Sequence, residues 1–308
     1  MDVIAVGNAN IDNLVITEKL AEQDEKVPIK KFIRFAGGGA ANFAVSISRL
    51  GKKVGFIGCI GDDENGKFFV ESIRSEGVDT TFLKILSGYI TGFTLIFNTE
   101  KGEHVMYTYR GANNELSITE DMVEYISKAK ILHLASIKQK VIEQAVSVKE
   151  KTGILLSVDP GKTTLLIGYD KLKYLFRNID LLFINRVEFK AFVGSEPTED
   201  LVHKIAKELN IILSVQLGDR GSFVSNGEET YHIPSFKIKN ILDTTAAGDA
   251  YAAGFIFGLL NKLEVKDCAF LGHAVAALKI QKIGTQKAMP YLNDLKNFLR
   301  EQKVEISI

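Results

Sequence analysis

The sequence predicts an α/β fold: a mainly parallel sheet covered by helices on both sides, with a small β-sheet lid standing off it. Three observations lead there. Short, apolar, largely β-branched runs alternate along the chain with longer segments whose apolar residues repeat about every 3.6 positions, as crossover-linked strands require. Two stretches, 12–36 and 88–112, break that rhythm and read as paired strands with no helix between them. The composition is that of an ordinary globular chain: 308 residues, 46% hydrophobic and 25% charged, which excludes a disordered, collagen-like or disulfide-scaffold protein.

The elements follow in order. Val3–Val6 is the first strand, and the first lid pair follows it over 12–36. In Ala41–Leu50 the residues Phe43, Ile47 and Leu50 fall on one helical face. After the strand Val54–Ile60 comes the second lid pair. It reads Tyr89–Asn98, the turn Thr99-Glu100-Lys101-Gly102, then Glu103–Arg110, a hairpin pattern. Poor alternation in Thr94-Leu95-Ile96-Phe97 suggests cover on both faces. Ile131–Ala135, Ile154–Val158, Leu181–Ile184 and Ile211–Leu217 are further strands, too short for buried helices. Ile238–Leu242 reads as a strand end. Asp249–Leu263 and Lys266–Lys282 are helical, the second stopped by Gly284, and Pro290-Tyr291-Leu292 opens a last helix. There is no internal repeat, and five prolines are too few for a Pro-rich linker. The expectation is one domain over residues 1–308, with lid segments at about 12–36 and 88–112 inserted in the α/β body.

Charge and cysteine usage narrow the function. Lys plus Arg and Asp plus Glu are each 38, so the chain carries no net charge and no overall nucleic-acid footprint. Cys59 and Cys268 match no metal spacing and read as reduced thiols of a cytoplasmic protein. No apolar run approaches the ~20 residues that span a bilayer, and the N-terminus lacks signal-peptide character. Pro160-Gly161-Lys162-Thr163 imitates the tail of a P-loop, but Leu156 stands where the first glycine is required. Neither a serine-hydrolase Gly-x-Ser-x-Gly nor a zinc His-Glu-x-x-His occurs. The five histidines, His104, His133, His203, His232 and His273, are scattered and read mostly as structural.

The richest local signal is Asp243-Thr244-Thr245-Ala246-Ala247-Gly248-Asp249. Small residues running into a helix start let backbone N–H groups converge where the helix dipole is positive. That arrangement suits a transferring phosphate, and Asp249 beside it can accept the proton of an attacking hydroxyl. An acidic residue that merely satisfies the dipole is the plainer alternative, and the whole string outweighs it. Asn185-Arg186-Val187-Glu188 sits at a strand-to-helix junction. It reads as a capping box, or as an amide and carboxylate holding hydrated Mg²⁺ near phosphates, and one Glu can do both. Leu217-Gly218-Asp219-Arg220-Gly221 lets backbone approach a nucleotide, or is a tight turn. Gly37-Gly38-Gly39-Ala40-Ala41-Asn42 can lie against a polyhydroxylated ligand, but its spacing is not a dinucleotide fingerprint. Asn10 and Asp12 can hold sugar hydroxyls from a strand end, or are turn chemistry.

Together these residues resemble the ribokinase, or PfkB, family of carbohydrate kinases. The resemblance runs from Val6-Gly7-Asn8 and Asp12 through Gly37–Asn42, Gly61-Asp62-Asp63 and Glu76-Gly77-Val78-Asp79. It continues to Asn185 and Glu188, Gly218 to Gly221, Asp243 to Asp249 and Gly284 to Pro290. It implies a ribokinase-like three-layer α/β/α body with a β-sheet lid, using ATP and Mg²⁺. Asp249 would be the catalytic base and Ala246, Ala247 and Gly248 the anion hole. Asn10, Asp12, Gly38, Gly39, Asn42 and Arg110 would hold substrate. Asn185, Gln216, Gly218, Gly221 and His273 would line the ATP side, and Glu188 would organise Mg²⁺ through water. Many members bind K⁺ through backbone at positions matching Asp243, Thr245 and Gly284.

The chain departs from the family pattern at Ala246, where glycine is usual; a helical or extended backbone there would tolerate the methyl. Gln216 replaces a common Thr, and Gly39 a Lys frequent in ribokinases. The acceptor therefore stays open among a ribose-like sugar, a nucleoside, and a sugar acid of the 2-keto-3-deoxygluconate type, whose carboxylate would meet Arg110. A catalytically silent sugar- or nucleotide-binding protein is the reading outside the enzyme class. No nucleic-acid or membrane partner is expected, and Phe32, Phe35, Phe93 and Phe97 suggest a homodimer through the lid.

Overall fold

The computed structural model describes residues 1–99, 104–304, 306 and 308. The turn expected at Thr99–Gly102 falls, past Thr99, outside the described residues. The first half of the chain contains β1 (Val3–Gly7), β2 (Asn10–Thr17), β3 (Ile29–Gly37), α1 (Gly39–Arg49), β4 (Val54–Gly61), α2 (Glu64–Ser75), β5 (Leu83–Leu86), β6 (Gly92–Thr99), β7 (His104–Tyr109), α3 (Val123–Ser127), β8 (Ile131–Ala135) and α4 (Gln139–Thr152). The second half contains β9 (Leu155–Asp159), α5 (Lys162–Leu165), α6 (Tyr169–Phe176), β10 (Leu181–Asn185), α7 (Arg186–Val193), α8 (Glu199–Leu209), β11 (Ile212–Gln216), β12 (Ser222–Ser225), β13 (Thr230–Ile233), α9 (Ala247–Leu260), α10 (Val265–Lys279) and α11 (Leu292–Glu301).

Nine strands form the main sheet in the order β13-β12-β11-β10-β9-β8-β1-β4-β5. The pairs from β5 to β11 are parallel, and β12 and β13 close one edge antiparallel. Both faces are covered. Val3 and Ala5 point into one apolar layer with α1, α9 and α10, while Ile4 and Val6 point into the other with α4, α7 and α8. Such double burial explains why these strands read as unbroken apolar runs.

The second sheet has the order β3-β2-β6-β7 and comes from the two stretches that broke the helical rhythm. β2–β3 and β6–β7 are antiparallel hairpins, and they meet through a parallel β2–β6 pair, with Asn10 opposite Gly92 and Thr17 opposite Thr99. Phe93, Leu95, Ile96 and Phe97 are half-buried on both sides of the sheet.

Two expectations fail. Ile238–Leu242 is not a strand. Among the described residues β13 pairs only with β12, and no ladder reaches residues 238–242. The amides of Leu242 and Asp243 donate instead to the Ile280 carbonyl at 2.9 and 3.2 Å. The helix expected to run to Lys282 and stop at Gly284 ends at Lys279, capped by Ile280 in the right-handed region. Gly284, at φ +104°, belongs to the loop beyond and donates its amide to Asp243 Oδ2 at 2.9 Å.

Candidate active site

The carboxyl ends of β8, β9, β10 and β11 share one edge of the sheet, the usual place for a ligand in a parallel α/β fold. Those ends present Ser136, Asp159, Asn185 and Gln216. With Glu188, Gly218, Gly221, His273 and the start of α9 they line a cleft of about 400 Å³. Asn185 caps α7 as expected: its Oδ1 accepts the Glu188 amide at 3.0 Å, and Glu188 Oε2 accepts the Asn185 amide at 2.9 Å. His273 shares a hydrogen bond of 2.9 Å with Ser222 Oγ. Burial pulls its pKa down to about 4, so it faces the cleft as neutral imidazole.

α9 begins where the small-residue string ends. Ala246 is its N-cap at φ 62°, ψ 16°, in the left-handed region that a Cβ disfavours. That corrects the expectation of a helical or extended backbone, and it explains why glycine suits the position. Ala247 N–H donates to the Thr244 carbonyl at 3.1 Å. The next amides, of Gly248 and Asp249, lie in the first turn, where a helix supplies no upstream carbonyl. They, more than Ala247, are available to an anion.

Asp249 sits half-buried at the third helical position. Asn42 Nδ2 donates to its Oδ2 at 2.8 Å, while Asn42 Oδ1 is buried without a partner among the described residues. Burial raises the Asp249 carboxyl to about 6; the charges of Asp12 and Glu188 push the same way, and the Asn42 bond and Lys279 oppose them. A side chain on Gly39 would press on Asp249 Oδ1, at 3.1 Å from its Cβ.

Asp12 lies on β2, 8% exposed, its carboxyl also raised to about 6 by burial and held down only by a bond from Thr94. Its Oδ2 occupies the space a Cβ on Gly37 would take, 2.0 Å away, and Gly38 makes its turn at φ +99°. The glycine run thus brings the chain close beneath a buried carboxylate. Asp12 lines a second hollow of about 220 Å³ between the smaller sheet and the loops at 242–245 and 283–285, together with Lys31, Phe35, Asn98, Asp243, Thr245 and Gly284. Asn10 and Arg110 belong to a polar cluster beside it. Asn10 Oδ1 accepts from Asn113 Nδ2 at 2.8 Å, and Arg110 Nη2 reaches Asn8 Oδ1 at 3.3 Å. Arg110 Nε is buried with no partner among the described residues.

Two groups escaped the sequence reading. Asp159, at the end of β9, is pushed well above the carboxylate range by burial and by the charges of Glu188 and Asp249. Its signal, an acid at a strand's carboxyl end, is masked by the P-loop imitation that directly follows it. Glu188 is raised by burial too, against bonds from the Asn185 and Lys162 backbone. Two carboxylates reluctant to ionise side by side suit a Mg²⁺ that keeps waters and shares nucleotide phosphates. Among the described residues no group of three or more His, Cys, Asp or Glu forms a metal site by itself. The second group is Lys279, the last residue of α10. It is fully buried, and its Nζ donates to the Asp243 carbonyl at 2.8 Å.

The pfkB family carbohydrate kinase pattern matches residues 1–292. The ribokinase of Haemophilus influenzae is 29% identical, with 96% of this chain and 97% of that protein covered. A 5-dehydro-2-deoxygluconokinase of Clostridium botulinum is 30% identical, covering 98% and 94% respectively. The structure of Arabidopsis thaliana ribokinase complexed with ribose and ATP superposes with a TM-score of 0.87 at 26% identity, over 97% of this chain and 98% of that one.

Proposed function

Because the chain belongs to the pfkB family of carbohydrate kinases, phosphotransferases with an alcohol acceptor, we propose that it moves the γ-phosphoryl group of ATP to a primary hydroxyl of a small sugar, with Asp249 as the base. The observation that carries this is the Asp249 carboxylate, fixed by Asn42 and set beside the unbonded first-turn amides of α9. The acceptor hydroxyl gives its proton to Asp249 as its oxygen bonds to the γ-phosphorus, and the bond from that phosphorus to the bridging oxygen breaks so that ADP leaves with the electron pair. The amides of Gly248 and Asp249 and the dipole of α9 favour the charge on the transferring group. Asn185, Gln216, Gly218, Gly221 and His273 would hold the nucleotide, and Asp12, Gly38, Gly39 and Asn42 the sugar. Glu188 and Asp159 would hold Mg²⁺, which when bound neutralises nucleotide phosphate charge.

We read residues 1–308 as one kinase unit in which the smaller sheet closes over the acceptor and excludes water, a competing acceptor. Its face turned away from the Asp12 hollow exposes Ile29, Phe32 and Tyr107, a face fit for a second copy of the chain. Phe35, Phe93 and Phe97 are half-buried and serve packing more than docking. Among the described residues no helix is long and apolar enough to cross a membrane. With the reliance on ATP and two buried free thiols, Cys59 and Cys268, that supports a cytoplasmic place.

A sugar-acid acceptor is the second reading. Arg110 favours it: a half-buried guanidinium with one long contact and an unpartnered Nε can receive a carboxylate. The test is an ADP-release screen over pentoses, ketohexoses, sugar acids and nucleosides with Mg²⁺ and K⁺ present. A sugar or sugar acid should lead; nucleosides alone would redirect the acceptor assignment. Asp249→Asn should lose about two to four orders of magnitude in kcat while keeping its fold, and near-normal turnover would remove Asp249 from the chemistry. Arg110→Ala should raise KM at least about tenfold for a sugar acid and little for ribose, by loss of a charge-assisted pair.

A further inference from the structure

The monovalent ion expected at Asp243, Thr245 and Gly284 meets an obstacle. The Lys279 ammonium already donates to the Asp243 carbonyl at 2.8 Å and stands 3.6 Å from Asp243 Oδ2, its side chain 0% exposed. The same aspartate gathers the other two positions, its Oδ1 accepting the Thr245 amide at 2.9 Å and its Oδ2 the Gly284 amide at 2.9 Å. A second cation on that carbonyl would sit against a buried like charge, where repulsion is far stronger than in water. The donor set therefore does not fit K⁺. We infer that Lys279 is a resident cation: its ammonium takes the part of a monovalent metal ion, holding the 243–246 loop that aims the first amides of α9, so that this kinase works without K⁺.

The placement of Lys279 supports this. A lysine is among the side chains least often fully buried, and burying one without a partner is costly. Its neighbours on α10, Ala274, Val275 and Ala277, are apolar and buried. The ammonium thus has a definite anionic target, in the loop three residues before Ala246, and sits at a helix C-terminus, where positive charge is favoured. It touches no reacting atom; it is a positioning residue acting through Asp243. The inference rests on the kinase reading.

The test uses the full chain in chloride salts of K⁺, Na⁺, ammonium and tetramethylammonium at equal ionic strength, measuring kcat, KM for ATP and Tm. The wild type should keep kcat within about twofold across the salts with an unchanged Tm, since no ion binds the native state specifically. A K⁺-specific rise in kcat of about tenfold, or in Tm by several degrees as a saturating ligand gives, would overturn the inference. Lys279→Ala should lower kcat more than it changes KM, and K⁺ or ammonium, but not tetramethylammonium, should restore part of the loss. A loss that no ion restores would mark Lys279 as packing only and sink the proposal. Should Lys279→Ala fail to fold, the wild-type salt series still decides. If no acceptor releases ADP in any salt, the kinase reading fails separately, and the Tm series continues to report on the cation.

Discussion

At Asp249 a single carboxyl links pH to both rate and stability. As the proposed base it must be ionised, and its folded pKa is about 6. kcat/KM should therefore rise about tenfold per pH unit below that value and level off above it, a limb that initial rates between about pH 5 and 8 would trace. For stability the sign is opposite. The folded pKa is raised above the ordinary 3.8, so the native state holds this proton more tightly than the unfolded chain. That contribution is full below about 3.8 and is lost as pH rises through about 6. Asp249→Asn should thus melt higher than wild type near neutrality, with the gap closing below about pH 4. Ala246 gives a cleaner backbone test. Its left-handed geometry predicts that Ala246→Gly adds about 0.5–1 kcal/mol, strain relief less the extra freedom of the unfolded chain, read as a higher urea midpoint with unchanged slope. The string around Asp249 was legible because its meaning is local. Asp159 and Lys279 were not, since their roles come from neighbours far away in sequence: Glu188 and Asp249 for one, Asp243 for the other.

Strands and helices were legible to the extent that their signals are local too. The buried strands β1, β4, β8, β9, β10 and β11 lie within a residue or two of their apolar runs, because burial on two faces leaves an unbroken pattern. Ile238–Leu242 misled because β propensity supplies no partner strand, and the edge was already taken by β13. Gly284 misled because a positive φ is needed in loops as well as at helix ends. The α7 start was read correctly in its structural sense. Both halves of the capping box are made, so Asn185→Ala should cost about 1 kcal/mol of stability. If Glu188 also serves the nucleotide, KM for MgATP should rise in the same variant, which steady-state kinetics would separate from the melting change.

Across the whole molecule, polar ties pin segments far apart in sequence. Arg49 at the end of α1 makes two bonds to Glu76, at 2.8 and 2.6 Å, and one to the Met289 carbonyl at 2.6 Å, and it lies over the Tyr291 ring. Its side chain is only 7% exposed. Arg49→Ala leaves the partly exposed Glu76 carboxylate without its partner and should cost about 1–3 kcal/mol, visible in the denaturant midpoint, while kcat at low temperature holds. The parallel seam between β2 and β6 has its own consequence for assembly. Asn10 must find Gly92, yet the intervening chain includes β4 and β5, which belong to the other sheet. Loop closure makes such distant pairings slow until the chain between them is compact. In pulse-labelled refolding, amide protons along that seam should gain protection after those of the β1–β4 pair, so that the hollow proposed for the acceptor is the last part of the newly made protein to take shape.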